Sequence, residues 1–243
     1  MTTNRSQARI APGGRREFLR FSAFAIGGTA LGAPTRPIRP AVGEDLTYAE
    51  FLEEAVPLAK RLREYATRHG EDTYLMSLAA LAVRLRAVDV PELRRVNGPG
   101  QPAHWLGAND TPDDCPFTVL HWKLEPNGIV RPHPHTYGSV VTLGLEGEVR
   151  IQNHETVEPA DFDATGRFLL RRTNDQILRP HDVNLVPLQH GYIHGFLAGP
   201  EGARGLDITT RVRDRQPNLS VEIDQRAADE ARALFEGRWI RSE

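Results

Sequence analysis

Gly128-Ile129-Val130-Arg131-Pro132-His133-Pro134-His135, followed after a short spacer by Ser139-Val140-Val141-Thr142-Leu143-Gly144-Leu145-Glu146-Gly147-Glu148-Val149, decides the reading of this chain. Short apolar runs rich in β-branched residues and cut by glycines have the texture of strands. Alternate side chains of an extended segment share a face, so His133 and His135 can turn both imidazoles toward one point. Further along, His190-Gly191-Tyr192-Ile193-His194 opens a second strand-like run, in which His190, Tyr192 and His194 share a face if it is extended. Neutral imidazole is the commonest side-chain ligand of iron, zinc, copper and nickel. Two nitrogens from one strand and one from another make a three-nitrogen face, with His194 or His190 as the third member.

The neighbouring runs extend the pattern. Phe117–Leu124, Ser139–Leu143, Glu148–Asn153, Phe168–Arg171, Asp182–Pro187, Tyr192–Leu197 and Ala203–Val212 read as strands, punctuated by Gly128, Gly144, Gly147, Gly166, Gly191 and Gly202. Many short strands with such turn signals predict a sandwich or a barrel. No helices alternate with them, which disfavours a parallel α/β sheet. Upstream, Thr47 with Glu50 has the form of a capping box. Phe51, Leu52, Ala55, Leu58, Ala59, Leu62 and Tyr65 then recur at helical steps, with a kink expected at Pro57 and a C-cap at Gly70. A second helix is expected from Asp72 to about Val88, closed by Pro91. Residues 97–116 read as a Gly/Pro/Asn/Asp-rich loop. The tail from about Val221 to Phe235, with Ala227, Ala228 and Ala231, is helical by composition. The expected organisation is 1–40 leader and linker, 41–96 helical hairpin, 97–116 loop, 117–212 β barrel and 213–243 helical tail.

Composition narrows the function classes. The 243 residues are 40% hydrophobic and 26% charged, enough to build a packed core. With 30 basic and 32 acidic residues, a nucleic-acid binder is disfavoured. One cysteine, Cys115, rules out an intrachain disulfide framework and a cysteine-based zinc cluster; it reads as a buried inert thiol. No apolar run is long enough to span a membrane. Residues 1–40 carry seven arginines against a single acid, Glu17. Within them Arg15-Arg16-Glu17-Phe18-Leu19-Arg20, a mildly apolar stretch from Phe21 to Ala33, and a proline-rich end resemble a bacterial twin-arginine export signal. That resemblance implies the twin-arginine machinery as a partner, a periplasmic or otherwise exported location, and export in the folded state, often with cofactor inserted.

The stretch 128–149 resembles the first motif of the cupin superfamily, which runs from a glycine through H-x-H to a strand and a second glycine turn. Asn184-Leu185-Val186-Pro187 through His194 is similar to the second motif. The resemblance covers about residues 117–212 and implies a double-stranded β-helix, a jelly-roll-like barrel. Most cupins place a glutamate four or five residues after the second histidine, where this chain has Ser139 and Val140. The implied ligand set is therefore His133, His135 and His194, with no carboxylate. His190 is an alternative ligand or a group that hydrogen-bonds one. Within the superfamily this is similar to the thiol dioxygenases, as is Ile193-His194-Gly195-Phe196-Leu197-Ala198-Gly199-Pro200 with Gly205-Leu206-Asp207-Ile208. The implied cofactor is Fe(II), another divalent metal being the alternative, and the implied reaction oxidises a small thiol to a sulfinate with dioxygen. Tyr192 is the candidate catalytic proton donor and Arg131 the candidate for a substrate carboxylate. Three function classes stand side by side: an iron dioxygenase, a non-catalytic metal- or ligand-binding cupin, and an isomerase or hydrolase using zinc, nickel or manganese. A homodimer through edge strands fits the superfamily. His121, beside Trp122, reads as a structural histidine, and His104, His154 and His181 receive no role.

Overall fold

Thr47 starts the first helix by the capping box its sequence announces. The Glu50 amide donates to Thr47 Oγ1, and the Thr47 amide donates to Glu50 Oε2 at 2.8 Å. The computed structural model describes residues 45–61, 68–90, 103–106, 116–159, 161–163, 165–212 and 219–241. The export-signal stretch and Cys115 lie outside the described residues. Helix α1 spans Tyr48–Lys60 with Pro57 inside it, and α2 spans Arg68–Ala82. Gly70 is thus in the first turn of α2, not the cap of α1. Nor does α2 run to Val88. After Ala82 the chain turns so that Leu85 bridges Leu46, with the Leu46 amide donating to Arg84 O at 2.7 Å, and a 3-10 turn follows at Ala87–Asp89. That bridge satisfies backbone groups another helical turn would have used.

The β part comprises β1 (Ala103–Leu106), β2 (Phe117–Leu124), β3 (Ile129–Pro134), β4 (Gly138–Thr156), β5 (Phe168–Leu178), β6 (Val183–Val186), β7 (Ile193–Arg211), β8 (Leu219–Asp229) and β9 (Leu234–Arg241). Their order is β1-β2-β7-β4-β5-β9-β8, with β3 also on β7 and β6 also on β4. All described pairings between these strands are antiparallel. The expected class, a mainly β jelly-roll fold with a helical hairpin before it, is the observed one.

The two 19-residue strands β4 and β7 curl the sheet. Each occupies a stretch whose glycines suggested two short strands. The glycines are bulges, not turns: register slips between Gly144 and Glu146 and between Gly147 and Val149. Gly147 (φ +69) and Gly202 (φ +78) face each other there, and a Cβ on Gly147 would stand 2.2 Å from Gly202 O. The bend lets one half of β7 carry β2 and the other half β3, while β4 carries β6 and β5 in the same way.

Two further expectations are corrected. The loop 97–116 contains β1, whose four residues pair along the outer edge of β2 from Ala103↔Leu124 to Leu106↔His121. The C-terminal tail is no helix but the hairpin β8–β9, docked through β9 on β5. Buried Leu219 and Val221 and half-buried Ile223 alternate with period two, and Ala227 sits at a register shift. Pairing the free edge of β5 and packing Val221 and Trp239 with Leu170 and Ile193 outweighs the helix propensity of the alanines.

The core has layers. Phe51, Ala55, Leu75, Leu78 and Leu85 of the helical layer pack on Phe117, Val119, Val141, Leu143, Leu206 and Ile208 of the sheet. The opposite sheet face holds Trp122, Val130, Val149, Ile151, Leu178 and Phe196 inside the barrel. Each such fully buried large side chain contributes about 1.5–3 kcal/mol by leaving water.

Candidate metal centre

β3 and β7 bring the histidines together. His133 is the register partner of His194, and the amide of His135 donates to Tyr192 O at 2.8 Å, which fixes the chain just past β3 against the start of β7. His135 Nε2 lies 2.9 Å from His194 Nε2 and 3.2 Å from His133 Nε2. Two nitrogens bound to one transition metal at about 2.0–2.1 Å, meeting at about 90–110°, stand roughly 2.8–3.4 Å apart. The two separations from His135 fall in that range, and the three ligand atoms all lie within 4.8 Å of one another. His133 Nδ1 is 3.0 Å from Arg131 O; as the donor to that carbonyl it leaves Nε2 with its lone pair turned to the other two rings. His135 and His194 are buried and His133 half-buried.

Electrostatics prepare the same site. Burial holds the His194 imidazole well below its ordinary range, helped by His135 and His133 beside it. Burial also lowers His133, partly opposed by the Arg131 carbonyl. The imidazoles of His133 and His194 are therefore neutral at neutral pH, the protonation state a metal needs. Among the described residues no acidic side chain joins this histidine cluster.

The other residues singled out in the sequence lie around the site in different ways. Arg131 is exposed on β3, where the register shift between Val130 and His133 breaks the simple alternation, and it serves His133 through its carbonyl. Tyr192 lies against the Leu170–Ile193–Val221 cluster with its hydroxyl 2.9 Å from Thr156 Oγ1; its contact with the ligand segment is its backbone carbonyl. His190 is turned to the helical layer, with Nε2 3.5 Å from Asp72 Oδ1, and stands outside the three-histidine cluster. His121 is buried edge-on to Tyr48. His154 is buried against Phe235, and burial with the nearby Arg172 charge lowers it to about 4.

The sequence reading missed a polar row across the barrel interior. Thr142 of β4 pairs in register with Asn184 on one side and Asp207 on the other, and its hydroxyl donates to Asp207 Oδ1 at 2.6 Å. Burial raises Asp207 to about 7, against the opposing pull of the Thr142 hydroxyl and the Trp122 indole. Trp122 packs tilted against Phe196 at 5.3 Å, and Phe196 meets His194 edge-on at 4.8 Å, so an aromatic chain runs from the side chain next to this carboxyl to the histidines. The local signal was one acid between two aliphatic residues, Leu206-Asp207-Ile208. Asn153, the register partner of His194, accepts from Asn184 Nδ2 at 2.7 Å and donates to Leu185 O and Gly191 O.

Gly195 permits the close approach of the two ligand strands. A Cβ there would stand 2.9 Å from Pro132 Cγ and 3.0 Å from Pro132 N. Gly195→Ala is expected to push β3, and His133 with it, away from His194, weakening metal binding about 10–100-fold, as loss of ligand support does. Titration of the folded variant with Co(II), beside a circular-dichroism check of folding, measures this.

No family model matches the chain, and no curated protein matches it. Among solved structures it is similar to the coconut allergen cocosin, at 17% identity and a TM-score of 0.40 over 51% of this chain and 30% of that one. Recombinant pro-11S globulin of pumpkin matches at 16% identity and a TM-score of 0.39, over 51% and 30% of the two chains. An oxalate oxidase in complex with the substrate analogue glycolate matches at 13% identity and a TM-score of 0.38, over 50% and 57%. The chain thus spans less than two thirds of each of these proteins.

Proposed function

We propose that this chain is a mononuclear metal cupin in which His133, His135 and His194 hold Fe(II), and that it oxidises a small thiol to a sulfinate with dioxygen. The observation that carries the reading is the cluster of three imidazoles, with His135 Nε2 2.9 Å from His194 Nε2 and 3.2 Å from His133 Nε2, and with no acidic side chain in the cluster among the described residues. An all-nitrogen set suits iron better than manganese, which favours oxygen ligands. Bound there, the iron supplies positive charge that favours a thiolate and electrons for the reduction of dioxygen. The balance is R–SH plus O2 giving R–SO2H: both oxygen atoms end on sulfur, which is oxidised while dioxygen is reduced. The chain's own part is to aim three imidazoles, to line the interior with Trp122, Val130, Ile151 and Phe196 and so exclude water, and to keep Asp207 partly protonated near neutral pH.

The test is oxygen uptake by the iron-loaded chain over a panel of small thiols, with product mass. One dioxygen consumed per thiol, with a product heavier by two oxygens, is the expected result. Iron bound without uptake by any thiol would leave a non-catalytic cupin, and tight preference for zinc, nickel or manganese would point to isomerase or hydrolase chemistry. Export by the twin-arginine route belongs to the same reading and rests on Arg15-Arg16-Glu17-Phe18-Leu19-Arg20. Replacing Arg15 and Arg16 by lysine is expected to hold the protein in the cytoplasm in a fractionation experiment.

A further inference from the structure

Glu71 has no part in the site described so far, yet it touches both segments that carry the ligands. It lies in the first turn of α2, is only 4% exposed, and leaves Oε2 buried without a hydrogen bond. Its other oxygen, Oε1, accepts two hydrogen bonds. One comes from the hydroxyl of Ser139, at the start of β4 just after His135, on the face shared with Val141 and Leu143 that packs on the helices. The other comes from the amide of Leu188 at 2.6 Å, in the loop between β6 and β7 that leads to His194. Burying a carboxylate with one oxygen bare costs free energy, so its retention calls for a return elsewhere. Charge-assisted bonds to a backbone amide are short and directional.

The same loop is gripped from several sides. Asn153 donates to Leu185 O and Gly191 O from the barrel interior, and Asp72, next to Glu71, stands 3.5 Å from His190. The Gly191 amide donates to Glu155 Oε2 at 3.3 Å, and the Tyr192 hydroxyl meets Thr156. Glu71 also bonds the segment that follows His133 and His135. We propose that Glu71 is a positioning residue of the metal centre: its carboxylate ties the exit of the His133–His135 segment to the entry of His194 and so sets the spacing of the ligand triangle from the helical layer. This rests on the metal-binding reading above.

The experiment uses the full chain with Co(II) alone as the probe, read by affinity and by the visible d–d spectrum, which reports ligand geometry. Glu71→Ala is expected to weaken Co(II) binding about 10–100-fold, the usual effect of losing support outside the ligands, and to alter the spectrum. Glu71→Gln keeps an acceptor for Ser139 and Leu188 and is expected to restore most of both. Leu78→Ala, fully buried in the same helical layer about two turns further along α2, is the control; it should lower the melting temperature while leaving affinity and spectrum as in the parent chain. Should Glu71→Ala not fold, Ser139→Ala removes one of the two donors and should shift the spectrum in the same direction. A folded Glu71→Ala, or Ser139→Ala in its place, with parental affinity and spectrum overturns the proposal, as does an equal loss in Leu78→Ala. If the parent chain itself binds no Co(II), the metal reading fails and the proposal with it.

Discussion

His194→Ala is expected to abolish stoichiometric metal binding and with it all metal-dependent stabilisation. His194 Nε2 is 2.9 Å from His135 Nε2, and its strand pairs with the one carrying His133, so its loss opens the triangle on its most buried side. Removing a ligand should cost more than the roughly 10–100-fold that loss of an outer partner costs. A ligand present at 100 times its dissociation constant stabilises the folded state by about 2.7 kcal/mol. The parent chain should show an increment of that order on adding metal, and the variant none. The same triad predicts release in acid. Because burial and the neighbouring rings depress His194, protons and metal compete for it only well below the ordinary histidine range. Metal binding measured against pH should therefore hold through neutrality and fall in acid. Full binding by His194→Ala would remove this residue from the site.

Asp207→Asn is expected to change markedly how stability depends on pH. The carboxyl is raised from 3.8 to about 7, chiefly by burial. Below 3.8 both folded and unfolded chains hold the proton and there is no effect. Between about 4 and 7 the unfolded chain releases it while the folded chain keeps it, so the folded state loses ground as pH rises. Above 7 the penalty is constant, at about 4 kcal/mol for a displacement of this size. Asparagine is neutral throughout, and its carbonyl can still accept from Thr142. The stability of Asp207→Asn relative to the parent chain should thus grow from pH 4 to pH 7 and then level off, measured by urea unfolding across that range. His154, lowered to about 4, acts in the opposite sense: it weakens the fold as pH falls from about 6.5 to 4. It is present in both proteins and cancels in the difference. A gap independent of pH would mean that Asp207 is ionised in the folded chain at neutral pH.

What could be read from the sequence was what short-range pattern dictates. The H-x-H spacing marks two residues that do meet His194, although His135 lies just past β3 and is held there by its amide bond to Tyr192 O, and β2 begins at Phe117 and ends at Leu124 as its texture indicates. The Thr47–Glu50 cap is a local bond between residues three apart. The misses are places where distant contacts overrode local preference. The alanines of 227–231 favour a helix until the edge of β5 offers pairing and a hydrophobic surface. Gly144 and Gly147 look like turns unless the partner strand β7 is known to bend with them. The four residues of β1 sit amid Gly/Pro-rich sequence and gain order from β2. Glu71 carried no local signal at all, since Ser139 and Leu188 are remote in sequence.

The most direct test of the central claim is the metal content of the chain, purified without added metal and measured by elemental analysis beside His194→Ala. The account predicts about one iron per chain in the parent protein and none in the variant. A folded parent chain that holds no transition metal, even after reconstitution with Fe(II), would contradict it.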